Sequence, residues 1–158
     1  MRRVLITGMS GTGKSTVIEA LVARGLKAID TDWNPKWERA DGDEWVWREN
    51  EIRILLDEED ADVLFVSACV SNQGKFYDRF DHIILLSAPE TITLQRLASR
   101  TNNPYGSRPA EIAEVLRYKM SIEPLLREAA TAEIDTSIPL SDVVAKVLEI
   151  APGRSKAH

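Results

Sequence analysis

The stretch GMSGTGKST, from Gly8 to Thr16, constrains this chain more than any other part of it. It follows RRVLIT, an apolar run with β-branched residues. It precedes VIEALVARG, whose apolar residues recur at helical spacing and which ends on a glycine. The order is strand, glycine-rich turn, helix. Within the turn, Gly8, Gly13, Lys14 and Ser15 satisfy G-x-x-x-x-G-K-[ST]. Glycines let the backbone curl so that successive N–H groups point at phosphate oxygens, and the helix adds its positive end. The spacing predicts a phosphate cradle made of Gly8, Ser10, Gly11, Thr12, Gly13, Lys14, Ser15 and Thr16. Lys14 would reach the β- and γ-phosphates, and the Ser15 hydroxyl would ligate Mg²⁺.

The rest of the chain alternates in the same way. Short apolar runs at 3–7, 26–30, 61–68, 81–88 and 132–135 read as strands. Helical spacing covers 14–24, 44–59, 89–100, 110–130 (with a bend or break near Pro124) and 140–150. WNPKWERADGD, before the second helix, reads as loop. Strands that are apolar on both faces and alternate with helices predict an α/β fold, a five-stranded parallel sheet between helical layers. The 158 residues suit one domain over 1–150, with 151–158 as a frayed tail. No internal repeat interrupts it.

Composition narrows the setting. No apolar run reaches the length of a membrane span, and no small-residue cleavage site follows the first apolar run. The lone Cys69 fits a reducing cytoplasm. A net charge of -5 argues against broad nucleic-acid binding.

Candidate chemistry gathers after the second strand. AIDTDW places Asp30 and Asp32 at its carboxyl end, where parallel sheets bind ligands. One carboxylate would hold Mg²⁺, with Ser15, and Asp32 would accept a proton from an acceptor hydroxyl. The third strand ends in Ser67 and Ala68 with no acid, which weights Asp30 and Asp32 further and argues against a motor-type ATPase. Trp33, Trp37, Trp45 and Trp47 are all the tryptophans, and they fall within fifteen residues. They line an acceptor pocket or closing flap (with Trp33 nearest Asp32), or they form a satellite core. Arg48, read on one helix face with Trp45 and Ile52, serves a ligand or snorkels. Asn72 and Gln73 hydrogen-bond a polar acceptor or belong to a plain turn. Arg100, more than Arg96, and Arg108 flank a loop that reads as a lid over about 100–109, bringing arginines onto a transferring phosphate.

On these residues the chain resembles the small P-loop kinases, which include shikimate, gluconate and nucleoside-monophosphate kinases. DTD is similar to the Asp-x-Asp of shikimate kinase, and EWVWRENE to its Glu-x-x-Phe-Arg-x-x-Glu segment. SRP at 107–109 is similar to the end of its lid. The resemblance implies ATP and Mg²⁺ as cofactors and Arg48 as a grip on a substrate carboxylate. It also implies an adenine-side loop, DTSIP, with Thr136 and Pro139. The acceptor side, about 32–60, departs from it. SACVSNQG stands where shikimate kinase has three glycines, and Ser121 and Ile122 stand where it has a second arginine. The gluconate kinase and adenylate kinase acceptor signatures are absent. The expectation is γ-phosphoryl transfer from Mg-ATP to a small polar metabolite, at a hydroxyl. The rivals are a nucleoside-monophosphate or nucleic-acid-end kinase and a regulatory NTPase.

Overall fold

Val4, Leu5 and Ile6 have no exposed surface, because the strand that carries them, β1 (Arg2–Thr7), lies at the centre of the sheet. The computed structural model describes residues 1–99 and 109–153. β1 pairs in parallel with β5 (Val63–Ser67) on one side and β6 (His82–Ser87) on the other. β2 (Lys27–Asp30) adds beyond β5, and β7 (Ala132–Asp135) beyond β6. The order is β2-β5-β1-β6-β7. This is the expected five-stranded parallel sheet.

Alternate side chains of β1 feed two cores, as the two-residue period of a strand requires. Val4 and Ile6 meet α1 (Lys14–Ala23) and α5 (Leu140–Ile150) through Val17, Leu21, Val143 and Val147. Leu5 faces the opposite layer, where α2 (Glu49–Asp57) brings Ile52, Leu55 and Leu56. Helices α3 (Glu90–Ser99) and α4 (Pro109–Ala129) follow β6. Leu126 of α4 packs with Met9 and Leu85. α4 runs through Pro124 without a break. The carbonyl that proline leaves without a partner, four residues back, belongs to Met120, which is 81% exposed and so open to water. Among the described residues no helix is long and apolar enough to cross a membrane.

One segment departs from the sequence reading. Residues 38–47 form an antiparallel hairpin, β3 (Glu38–Asp41) and β4 (Glu44–Trp47), and the following helix starts only at Glu49. Gly42 takes φ 62 in the first position of a two-residue turn, a place that favours glycine. Trp45 is therefore exposed on a strand, and Arg48 stands at the strand–helix junction rather than on a shared helix face.

Candidate functional site

The loop between β1 and α1 opens onto a cavity of about 860 Å³ at the carboxyl edge of the sheet. Its far walls come from β2, α3 and the segment from Thr136 to Val143. All eight residues expected of the cradle lie in this loop and the first turn of α1, and Ser10 to Thr16 line the cavity. Gly13 caps α1 at φ 93. A Cβ on Gly8, at φ 156, would stand 2.5 Å from the Leu86 carbonyl oxygen and 2.8 Å from Thr12 Oγ1. The loop thus lies directly on β6, and only glycine fits there. Gly8→Ala is expected to lower the unfolding free energy by about 3 kcal/mol in urea titrations. Unchanged stability would mean the loop relaxes around the methyl group.

Lys14 turns its ammonium back over the loop. Nζ donates to the Gly8 carbonyl at 2.6 Å and lies 3.4 Å from Asp32 Oδ2. Burial pushes its pKa down, but the Asp32 carboxylate pulls it back past the ordinary value, so the charge is kept. Beside it, Ser15 Oγ donates to Asp30 Oδ2 at 2.7 Å. Asp30 Oδ1 accepts from Ser67 Oγ at 3.1 Å and from the Asp32 amide at 3.0 Å. Ser67, which ends β5 where an acid is missing, therefore orients the acid of β2. Ser15 and Asp30 form an all-oxygen donor pair suited to Mg²⁺, which takes one or two protein oxygens beside phosphates and water.

The turn between the acids is pinned from the hairpin. Thr31 is fully buried; its Oγ1 donates to the Ser67 carbonyl and accepts from Trp47 Nε1 at 2.9 Å. The four tryptophans divide accordingly. Trp37 and Trp47 belong to the core, while Trp33 and Trp45 are 57% and 39% exposed. Trp33 lines the cavity.

Other expected residues sit elsewhere. Arg48 is exposed, and its Nε donates to the Pro35 carbonyl at 2.9 Å. Asn72 is committed to the hairpin, accepting from the Trp47 amide and donating to its carbonyl and to Glu49. Gln73 is buried and bonds Thr7, Tyr77 and the Val70 amide. Neither amide lines the cavity. On the opposite side, Thr136 is buried and donates from Oγ1 to the Thr12 carbonyl at 2.7 Å. Pro139 stands just before α5 and is not itself in the cavity wall. Arg96 lines the cavity and bridges the Gly11 carbonyl, Thr136 Oγ1 and the Thr136 carbonyl. The expected lid arginines, Arg100 and Arg108, lie outside the described residues.

Glu38 was not anticipated. It is 2% exposed at the start of β3, and its Oε1 accepts from the Trp33 amide at 3.2 Å. Its Oε2 is buried with no hydrogen-bond partner. Burial pushes this carboxyl up to about 7, with Asp32 and Asp30 adding to the push and the Trp33 amide and Lys14 opposing it. The folded value lies above the ordinary 4.5, so folding favours the protonated form. Glu38 costs nothing at pH below 4.5, and as pH rises from there through 7 the fold loses up to about 3 kcal/mol. Glu38→Gln is expected to remove this slope in urea unfolding measured across that range. Parallel pH profiles for the two proteins would mean that the carboxyl ionises freely.

Comparison with known proteins places this geometry. A family model described as AAA domain matches residues 4–117. A nucleotide-binding protein of Gluconacetobacter diazotrophicus is 31% identical over 140 residues, covering 86% of this chain and 38% of that protein. The chain thus spans well under half the length of that relative. Among solved structures, shikimate kinase from Acinetobacter baumannii in complex with shikimate superposes with TM-score 0.70 at 17% identity. It covers 95% of this chain and 92% of its own. A gluconokinase from Sinorhizobium meliloti gives 0.57 at 20% identity, covering 94% and 90%. At these identities the likeness speaks for the fold. The chain belongs to the AAA-domain family and has the α/β fold of the small P-loop kinases, the group of the shikimate and gluconate kinases.

Proposed function

We propose that this protein transfers the γ-phosphoryl group of Mg-ATP to a hydroxyl of a small polar metabolite. One observation carries the reading: the Lys14 ammonium and the Asp32 carboxylate meet at 3.4 Å where the glycine loop opens onto the cavity. A phosphate-binding cation and a proton acceptor thus share one mouth. The fold shared with kinases of shikimate and gluconate supports the same reaction class.

In this reading the loop amides and Lys14 hold the nucleotide phosphates, and Thr136 and Ile138 border its base. Arg96 locks the loop to the Thr136 segment. Ser15 and Asp30 would hold Mg²⁺, which would supply neutralisation of phosphate charge. Asp32 accepts the acceptor's hydroxyl proton as its oxygen bonds to the γ-phosphorus, and the bond to the β–γ bridging oxygen breaks to release ADP. Arg100 and Arg108 would add positive charge from the lid segment.

The test is ADP release from Mg-ATP against shikimate, sugar acids, amino sugars, neutral sugars, nucleosides, nucleoside monophosphates and short oligonucleotides. A compound that accelerates release and is recovered phosphorylated establishes the reaction. Phosphorylation of a monophosphate or an oligonucleotide end would replace the hydroxyl-metabolite reading. Tight nucleotide binding with no acceleration by any compound would favour a regulatory NTPase.

A further inference from the structure

The segment that carries Asp32 and Trp33 to the cavity has an unusual composition. Between residues 32 and 47 stand five carboxyls against two cations, together with all four tryptophans. Two of those rings are in the core, but Trp33 and Trp45 are held out toward solvent. Their centroids lie 6.1 Å apart and their planes are inclined at 65°. The pair packs edge to face, and Trp33, which lines the cavity with Asp32, brings it there.

The pair is held in place at a cost. Trp33 takes φ 56, a left-handed conformation that a bulky residue rarely adopts. Its amide donates to Glu38 Oε1, while the Glu38 amide donates to the Asn34 carbonyl at 2.8 Å. Glu38 thus closes the turn that presents the ring. Its second oxygen is buried and has no hydrogen-bond partner. Of this segment's charged side chains only the Asp32 carboxylate lines the cavity, and it sets a negative field beside the Trp33 ring. Ring faces are negative at their centres, so they add to that field.

We propose that this segment forms an organic-cation subsite, in which Trp33, Trp45 and Asp32 receive the ammonium group of an amine-bearing alcohol and Glu38 positions Trp33. The alcohol half of the statement rests on the kinase reading above; the cation subsite does not. An acid acceptor such as a sugar carboxylate would meet like charge here. Arg48, the cation that the family resemblance would turn toward such an acid, is exposed and bonded to the Pro35 carbonyl.

The probes are tetramethylammonium, glucosamine in its ammonium form, glucose and gluconate, titrated by calorimetry at constant ionic strength. The ammonium probes are expected to bind saturably, glucosamine about tenfold more tightly than glucose, and gluconate most weakly. Trp45→Leu and Glu38→Leu, the second removing the acceptor of the Trp33 amide, should each lower the glucosamine-to-glucose preference about tenfold, with ADP binding unchanged. A general loosening of the fold would weaken both sugars alike and leave that ratio in place. Gluconate binding above glucosamine, ammonium binding that survives Trp45→Leu, or no saturable ammonium binding would each overturn the proposal. Ammonium binding that responds to both substitutions, with no acceleration of ADP release, would support the subsite and count against the kinase reading.

Discussion

Lys14→Ala is expected to lower nucleotide-dependent turnover by about 10²–10³-fold or more, with the fold kept. The side chain is 8% exposed, and its ammonium lies between the Gly8 carbonyl and Asp32. It is charged throughout the working pH range, because burial, which lowers its pKa, is more than offset by Asp32 together with Cys69 and Asp30. Its removal takes from the loop the cation that stands beside Asp32 at the cavity mouth. Both nucleotide affinity and turnover should therefore fall. The cost to stability is smaller. A pair broken inside a dry core costs several kcal/mol, but the Asp32 side chain is 19% exposed, and solvent screening cuts this to about 1 kcal/mol. Urea unfolding and ADP release on the same preparation separate the effects. Turnover near that of the parent would mean that Lys14 is a structural tether of the loop.

The sheet was legible because buried parallel strands must be apolar on both faces, and runs such as VLFVS carry that signature without help from distant residues. The glycine loop was legible because its backbone geometry admits few residue types. The hairpin was not. WVWRENEI carries apolar residues at spacings that suit a helix, and Gly42-Asp43, the two-residue turn flanked by ERAD and EWVW, was the signal that competed with it. Missing the hairpin hid Glu38 as well. In sequence it is one acid among several in a charged turn. Its burial depends on Trp47 reaching across to Thr31, sixteen residues away, and on Trp37 entering the core. The same distance problem affects the arginines. Arg96 and Arg100 are four apart and share a helix face by spacing alone. Packing brings Arg96 to Gly11 and Thr136, a contact across 85 and 40 residues. Nor does clustering of tryptophans say which are core. Trp45 and Trp47, two apart on β4, share a face of the hairpin; distance from the turn separates them, since Trp47 at the base reaches Thr31 and Phe76 while Trp45 near Gly42 stays exposed.

Asp32→Asn is expected to lower kcat by about 10²–10⁴-fold while nucleotide affinity changes only a few-fold. The two acids of DTD have different work because their surroundings differ. Asp30 accepts hydrogen bonds from Ser15, Ser67 and the Asp32 amide, which fix both of its oxygens beside the position where Ser15 meets a metal. Asp32 lines the cavity with one oxygen near the Lys14 ammonium. Asparagine keeps the volume and the hydrogen-bonding reach but cannot take the proton, so the loss belongs to the chemical step. Asp30→Asn should behave differently, raising the Mg²⁺ concentration needed for half-maximal rate with a smaller change in kcat at saturation. Equal losses of kcat and nucleotide affinity in Asp32→Asn would assign Asp32 to the metal instead. Unchanged turnover would remove it from the chemistry, and an acceptor that is already ionised, such as a phosphate, would then fit the site better than an alcohol.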